Sequence, residues 1–174
     1  SLIAMALAPS PKLLVLDEPT TALDRSLEAQ IFDVLAELRR STELTVLLVS
    51  HDLAVVSEVA DRLVVMYAGE VVEDGTLHEV LGTPSHPYTQ ALLDTVPSPG
   101  ARPPRKLGDK PRPLPVIEGA VPTLAEIPEG CRFEPRCPKR FAACARQKVP
   151  LVRVGSGRSR CLLAGQAAPP PSAR

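Results

Sequence analysis

The chain has 174 residues, of which 44% are hydrophobic and 23% charged, enough for one ordinary core with an appendage rather than for two full domains. No stretch approaches the roughly 20 consecutive apolar residues of a membrane-spanning helix, and the first residues lack the basic start of a secretion signal, so the composition indicates a cytosolic polypeptide. The net charge of zero hides two different regions, because residues 1–96 carry 5 Lys and Arg against 15 Asp and Glu, whereas residues 97–174 carry 15 against 5.

The acidic region begins with a predicted helix, strand and helix. The Ala-rich stretch SLIAMALA predicts a helix that ends before Pro9, and because Ser1 already lies in this helix, we expect the chain to be truncated at its N-terminus. The apolar run of residues 13–16 predicts a strand that is buried on both faces. From Asp24, a suitable N-cap, apolar residues recur at helical spacing and predict a second helix over about residues 25–40.

Two further strands follow in the same region. LTVLLVS, residues 44–50, has the composition of a strand, and Asp52 is a suitable cap for a helix in LAVVSEVA. RLVVMYA predicts a third strand, and AGE turns the chain into VVEDG to form an antiparallel ribbon. The alternation predicts an α/β fold with a parallel sheet and crossover helices. Ligands of such sheets bind beyond the carboxyl ends of the strands, where Asp17, Glu18 and His51 lie.

The stretch LLVLDEPTTALD, residues 13–24, resembles the Walker B and D-loop segment of ABC-type ATPases over a dozen consecutive positions. A strand-terminal Asp alone is equally well explained as a turn cap, and the residues that follow Asp17 favour the ATPase. The resemblance implies the C-terminal part of a P-loop ABC-type ATPase domain. In that family, Asp17 would coordinate Mg²⁺ through its hydration shell, Glu18 would polarise the attacking water, and Asp24, in the D-loop, would face a partner ATPase domain. Carboxylate oxygens suit a hard cation, and an attacking water needs a positioned acceptor.

VSHDL, residues 49–53, resembles the H-switch of the same ATPases. This resemblance places His51 on the γ-phosphate of ATP, where a histidine can donate to a phosphoryl oxygen; a purely structural histidine is the alternative. The phosphate loop G-x-x-x-x-G-K-S/T, the glutamine loop and the serine-glycine-rich signature do not occur in the sequence. We therefore expect the main cradle for ATP to lie in a preceding segment, and the chain alone to be inactive.

A second resemblance lies near the end of the acidic region. HPYT, residues 86–89, resembles the start of the C-terminal extension in ATP-binding subunits of oligopeptide and dipeptide importers, with a helix that begins near Pro87. We interpret His86 and Tyr88 as structural markers of that extension. Residues 97–115 are rich in proline and basic side chains, which predicts an extended linker. The predicted domains are residues 1–83 for the ATPase part, residues 84–163 for the extension with a linker over 97–115 and a cysteine module over 131–161, and residues 164–174 for a disordered tail.

Four cysteines, Cys131, Cys137, Cys144 and Cys161, lie in the basic region. Their spacing lacks the C-x₂-C pairs of a zinc ribbon, and a disulfide pair is disfavoured in the cytosol. Four thiolates in a segment with little core are better explained as a metal site that stabilises it, with zinc and unligated thiols left open. In the importer family, the matching cysteines bind a [4Fe-4S] cluster, which we expect to be structural. One departure is that the family's histidine shortly before the last cysteine is absent from GSGRSRC.

The resemblance implies the ATP-binding and ATP-hydrolysing subunit of an ABC importer for di- or oligopeptides, at the cytoplasmic face of the cell membrane. Such subunits close head to tail with a second ATPase subunit on ATP and Mg²⁺. Their closure drives two membrane-spanning permease subunits, which receive peptide from a peptide-binding protein. Substrate choice lies mainly in those other components.

Two alternatives come from other classes of protein. A non-catalytic, metal-stapled module that contacts nucleic acid would use the 15 Lys and Arg after residue 96. However, Phe133 and Phe141 are the only aromatic residues there, too few for a base-stacking platform, so we expect no nucleic acid as a partner. A soluble ABC ATPase of DNA repair or translation would share the first two motifs, but not HPYT and the four cysteines.

Overall fold

The computed structural model of the protein describes residues 2–20, 23–96 and 116–164. The chain divides into two compact units, residues 1–60 and residues 61–174. The predicted linker over residues 97–115, and the predicted tail apart from Ala164, lie outside the described residues.

The first unit alternates helices and strands as the sequence predicts. Its two strands are parallel and in register from Leu13 opposite Thr45 to Asp17 opposite Val49. A helix crosses between them, as a parallel pair requires. The elements are α1 (Leu2–Leu7), β1 (Leu13–Asp17), α2 (Arg25–Ser41), β2 (Thr45–Val49) and α3 (Leu53–Val59).

Both predicted helix caps are present in this unit. The Asp24 carboxylate accepts from the backbone N–H groups of Ser26 and Leu27 at 3.0 and 2.9 Å, and the Asp52 carboxylate accepts from Ala54 N–H at 2.9 Å. Each cap satisfies backbone donors that the first helical turn leaves without partners. The sequence therefore located the starts of α2 and α3 correctly.

Only one face of β1 is buried, so the prediction of a strand covered on both faces is wrong. Leu14 and Leu16 pack with Leu35 and Leu44 in the core of the unit, whereas Leu13 and Val15 on the other face are each 56% exposed. The described residues place α2 and its apolar stripe against a single face of the two-stranded sheet. A continuous apolar run was therefore not sufficient evidence for two covered faces.

The predicted third strand does not extend the parallel sheet. It is β3 (Arg62–Tyr67), which pairs antiparallel with β4 (Glu70–Thr76) in a separate sheet. The ribbon itself was predicted correctly, and its two-residue turn, Ala68 and Gly69, has positive φ at both positions, the geometry preferred in tight hairpins. A short apolar run indicates a strand but not its partner, and this is why the sheet assignment was wrong.

The second unit is a four-stranded antiparallel sheet with short helices. Its strand order is β3, β4, β6 (Gly157–Ser159) and β5 (Val152–Val154). Its core contains Val65, Tyr67, Val72, Val80 and Phe133. The remaining elements are α4 (Leu77–Gly82), α5 (Pro87–Thr95) and α6 (Ala142–Arg146), with 3₁₀ turns at Leu124–Glu126 and Glu134–Arg136.

The compact units divide between residues 60 and 61, whereas the sequence placed a boundary after residue 83. The difference arises because β4 pairs with β6, with Glu73 opposite Ser159 and Asp74 opposite Arg158. This ladder joins the predicted end of the ATPase part to the segment that carries the last cysteine. The functional division into residues 1–83 and 84–163 stays a prediction.

Candidate functional site

Glu18 and His51 meet at the carboxyl ends of the two parallel strands. The Nδ1 atom of His51 lies 2.8 Å from both carboxylate oxygens of Glu18, and the backbone N–H of His51 donates to Oε1 of the same carboxylate at 3.0 Å. The backbone N–H of Glu18 donates to the carbonyl of Val49 at 2.9 Å. The two strand ends are thus held together by side chains that the sequence singled out.

Glu18 has an unusual backbone conformation, with φ of +46°. For a residue other than glycine this left-handed conformation costs on the order of 1–3 kcal/mol, and such residues are concentrated at functional sites. The conformation comes directly after β1 and turns the Glu18 carboxylate toward His51. This strained turn is therefore a second, independent reason to place the candidate site here.

The Glu18–His51 pair is open to solvent, with the His51 side chain 76% exposed and that of Glu18 38% exposed. Hydrogen bonding to Glu18, followed by the charge of that carboxylate, raises the pKa of His51 above its usual value. A raised pKa favours the doubly protonated ring, in which Nδ1 donates to Glu18 and Nε2 carries a second N–H. The pair can therefore present a proton donor toward a bound anion.

Asp17 and Asp24 lie in the same unit but make different contacts. Asp17 is the last residue of β1, and its side chain is exposed beside Glu18, so its carboxylate is accessible to a hard cation. The Asp24 carboxylate is instead engaged as the N-cap of α2. Thr21 and Ala22, the first two residues of the predicted D-loop TALD, lie outside the described residues.

The second candidate site is a cavity lined by all four cysteines. None of the four forms a disulfide, and each is partly buried. The backbone N–H of Cys131 donates to the carbonyl of Cys144 at 2.8 Å, and a Cβ atom at Gly130 would lie 2.1 Å from the same carbonyl. Only glycine fits at position 130, because the two cysteine-bearing segments approach so closely there.

Three thiols of this cavity, those of Cys131, Cys137 and Cys161, have raised pKa values. Burial raises the pKa of Cys131 to about 11, and burial also raises the pKa values of Cys137 and Cys161. Such thiols are protonated and unreactive at neutral pH, and a metal that bound them would have to displace protons.

Four sulfur donors on one cavity fit the ligand type of a [4Fe-4S] cluster. Within residues 2–20, 23–96 and 116–164, however, no three His, Cys, Asp or Glu side chains are already arranged to hold a metal ion. The donor set is thus suitable in chemistry and lines one cavity, but its thiols would have to move closer together to hold a cluster.

Comparison with known proteins shows two levels of similarity, one to a family profile and one to individual proteins. Residues 72–144 match the profile of the oligopeptide/dipeptide transporter C-terminal region. The chain is 44% identical over 163 residues to the oligopeptide transport ATP-binding protein AppD of Bacillus subtilis. The aligned segment covers 93% of this chain and 47% of AppD. It is 42% identical over 160 residues to the dipeptide transport ATP-binding protein DppD of Haemophilus influenzae. This alignment covers 92% of this chain and 46% of DppD. Over most of its length, the chain is thus similar to peptide-import ATP-binding proteins.

The chain spans about half the length of these peptide-import relatives. The matched transporter region begins within β4 and includes α4, α5 and three of the four cysteines, whereas Cys161 lies beyond it. No helix in the described part of the chain is long and apolar enough to cross a membrane.

The sequence did not predict the burial of two polar residues in the matched transporter region. His86, interpreted there only as a structural marker, is 1% exposed and lines the cysteine cavity. Glu73 is buried and accepts from the backbone N–H groups of Ser85 and His86 at 2.6 and 3.1 Å. The acidic residue inside the apolar pattern VVED was the only signal for Glu73, since a charged residue is rarely buried without partners.

Proposed function

We propose that this chain is part of the ATP-hydrolysing subunit of an ABC importer for di- or oligopeptides. The observation that carries the proposal is the Glu18–His51 pair at the carboxyl ends of parallel strands, the position where such sheets bind their ligands. The names of AppD and DppD, an oligopeptide and a dipeptide transport ATP-binding protein, support the same function.

Each residue at this edge takes a separate role in the proposal. Asp17, exposed at the end of β1, holds the hydrated Mg²⁺ of Mg-ATP, and Glu18 accepts a hydrogen bond from the attacking water. Mg²⁺, when bound, offsets charge on the phosphate oxygens. Asp24 fixes the start of α2 and, with it, the D-loop that faces the second ATPase subunit.

His51 is proposed to contact the γ-phosphate of ATP through its Nε2–H group. Nδ1 is occupied by the Glu18 carboxylate, so Nε2 is the ring nitrogen that faces outward to a ligand. The carboxylate also raises the pKa of the ring, which favours the protonated form that can donate from both nitrogens. The Glu18 carboxylate thus orients the histidine and helps to keep it a donor.

The partners follow from the proposed importer. A second ATPase subunit closes head to tail with this one, and two permease subunits and a peptide-binding protein complete the transporter at the cytoplasmic face of the membrane. The match to the transporter region over residues 72–144 favours this assembly over a nucleic-acid-binding module or a soluble ABC ATPase.

The test replaces Glu18 by Gln in the assembled transporter. Loss of a positioned base costs typically 10²–10⁴-fold in rate, so we expect ATP hydrolysis to fall by about that factor while ATP binding persists. Glu58→Gln, at an exposed position on α3, is the matched control and should leave turnover unchanged. Equal hydrolysis by both variants would refute the role of Glu18, and the 174-residue chain alone should show no turnover.

The four cysteines are proposed to hold a [4Fe-4S] cluster with a structural role. Their convergence on one cavity without a disulfide supports this, and four Cys ligands are the usual set for such a cluster. Anaerobic reconstitution should give iron and sulfide in equal amounts and visible absorbance, both reduced in Cys131→Ser. Binding of zinc in place of iron and sulfide, or of no metal, would contradict the assignment.

A further inference from the structure

His86 combines a satisfied and an unsatisfied ring nitrogen. Its Nδ1 accepts from the backbone N–H of Tyr88 at 3.0 Å and so forms the N-cap of α5. Burial lowers the pKa of His86 to about 4, although the carbonyl of Arg160 acts in the opposite direction. The ring is therefore neutral near pH 7, and because Nδ1 is an acceptor, the proton must lie on Nε2.

The Nε2–H group of His86 has no hydrogen-bond partner among the described residues, although it is fully buried. The backbone carbonyl of Arg160 is near enough to raise the pKa of the ring, but Nε2 makes no hydrogen bond to it or to any other described residue. Buried donors are almost always paired, and an exception calls for an explanation such as an absent ion or ligand. The ring lies on the wall of the cavity that the four cysteine side chains line.

Two other buried polar side-chain atoms among the described residues also lack a hydrogen-bond partner, and comparison with them shows what is particular to His86. Thr89 Oγ1 and Ser159 Oγ are as buried as His86 Nε2, but neither residue lines the cysteine cavity. A hydroxyl can rotate toward a weak partner nearby, whereas the His86 ring is fixed by its cap to Tyr88 and by packing at 6.1 Å from the Phe133 ring. His86 is thus the unpartnered donor that borders the cavity.

We propose that His86 is a positioning residue for the content of the cysteine cavity, and that its Nε2–H donates a hydrogen bond to a sulfur atom of the [4Fe-4S] cluster. This inference rests on the cluster assignment made under Proposed function. Hydrogen bonds to cluster sulfurs stabilise the more negatively charged, reduced state, and they are one of the means by which proteins set the reduction potential. His86 therefore raises the potential of the cluster above the value that four thiolates alone would give.

The test compares His86→Asn with Thr89→Val in the intact, anaerobically reconstituted chain. Asn is a good N-cap, so His86→Asn keeps the start of α5 while it removes the donor from the cavity. Thr89→Val replaces an equally buried hydroxyl group by a methyl group of nearly the same size, at a residue that does not border the cavity. We expect His86→Asn to keep iron and sulfide but to shift the reduction potential to a more negative value, and Thr89→Val to leave the potential unchanged.

A second measurement uses the unmutated chain, so that a folding failure of His86→Asn cannot hide the answer. The chain contains three histidines, and only His86 lines the cavity. Labelling histidine with ¹⁵N and reducing the cluster should give a hyperfine coupling to an imidazole nitrogen and to an exchangeable proton. Absence of both couplings in a chain that does hold the cluster would overturn the role of His86 alone, whereas a chain without a cluster would overturn the cluster assignment itself.

Discussion

The notable polar side chains of the two units lie in opposite environments, exposed to solvent in the first unit and buried in the second. In the first unit, Glu18 and His51 lie at an open edge of a two-stranded sheet that is covered on one face. In the second, His86 and Glu73 are buried within a segment that also contains the aromatic core. An exposed pair can exchange partners when a ligand binds, whereas buried groups are set by packing before any ligand binds. The first unit is thus suited to a changing contact and the second to a fixed one.

The largest effect should come from the aromatic core of the second unit. Phe133 is 1% exposed and contacts Tyr67 and Tyr88 with ring centroids 5.2 and 5.3 Å apart. Phe133→Ala should lower the free energy of unfolding by about 3–5 kcal/mol, because it leaves a cavity between these rings. Urea unfolding followed by tyrosine fluorescence measures the change. Phe141→Ala, at an exposed position, is the control, and a similar loss in both variants would contradict this account of the core.

A core substitution in the first unit should have a somewhat smaller effect. Leu14 is 4% exposed in the cluster with Leu35, so Leu14→Ala should cost about 2–5 kcal/mol. Leu13→Ala, at the neighbouring position on the exposed face, should stay within about 0.5 kcal/mol. Circular dichroism of urea-induced unfolding distinguishes the two. If Leu13→Ala were as destabilising as Leu14→Ala, the one-sided sheet would be incorrect.

The sequence predicted the local elements of the first unit well, because each has a strong local signal. Asp24 and Asp52 are caps directly before helical periodicity, and the strands ending at Asp17 and Val49 are short apolar runs bounded by polar residues. The strand ends located Glu18 and His51, and the resemblance of their motifs to those of ABC-type ATPases singled them out as candidate site residues. Their direct contact needed the structure, since 33 positions of sequence separate the two residues.

The second unit was less predictable because its order comes from distant contacts. The strands Val152–Val154 and Gly157–Ser159 have only three residues each, too few for a period to be recognised. They are held by β4 and by Glu79, whose carboxylate accepts from Ser156 N–H at 3.0 Å across 77 positions of sequence. His86 was recognised from HPYT, but only the structure could show that its Nε2–H group is buried without a hydrogen-bond acceptor.

Glu79 gives a pH-dependent prediction for the second unit. Hydrogen bonds from Ser156, followed by those from Thr76, lower the pKa of Glu79 to about 2. A carboxyl group with a lowered pKa contributes stability above its unfolded pKa of 4.5, and this contribution is lost as the pH falls toward and through about 2. The unfolding free energy of the native chain should therefore fall in this window, and Glu79→Gln should flatten the fall.

Glu126 provides a matched control for Glu79. It forms the same capping box with Thr123, with Thr123 Oγ1 donating at 2.8 Å, and no contact with the β5–β6 turn is among its hydrogen bonds. Glu126→Gln should remove less of the acid dependence than Glu79→Gln, since only Glu79 also joins two distant segments. Equal flattening by both variants would mean that the cap, and not the contact with Ser156, accounts for the effect.

The smallest effect on stability should come from the open pair of the first unit, where the informative quantity is the pKa of His51. Glu18 raises this pKa, mainly by hydrogen bonding, and Asp52 raises it less. A histidine with a raised folded-state pKa contributes stability below pH 6.5 that is lost as the pH rises through the raised value.

In ¹H NMR titrations of the imidazole protons, Glu18→Gln should move the midpoint of His51 down toward 6.5, and Asp52→Asn, which keeps the helix cap, should move it less. If Glu18→Gln left the midpoint unchanged, the contact would not persist in solution, and the doubly protonated His51 would lose its support as a phosphate donor. If the midpoint moves as expected, the open edge already holds its histidine in the donating form before any nucleotide binds.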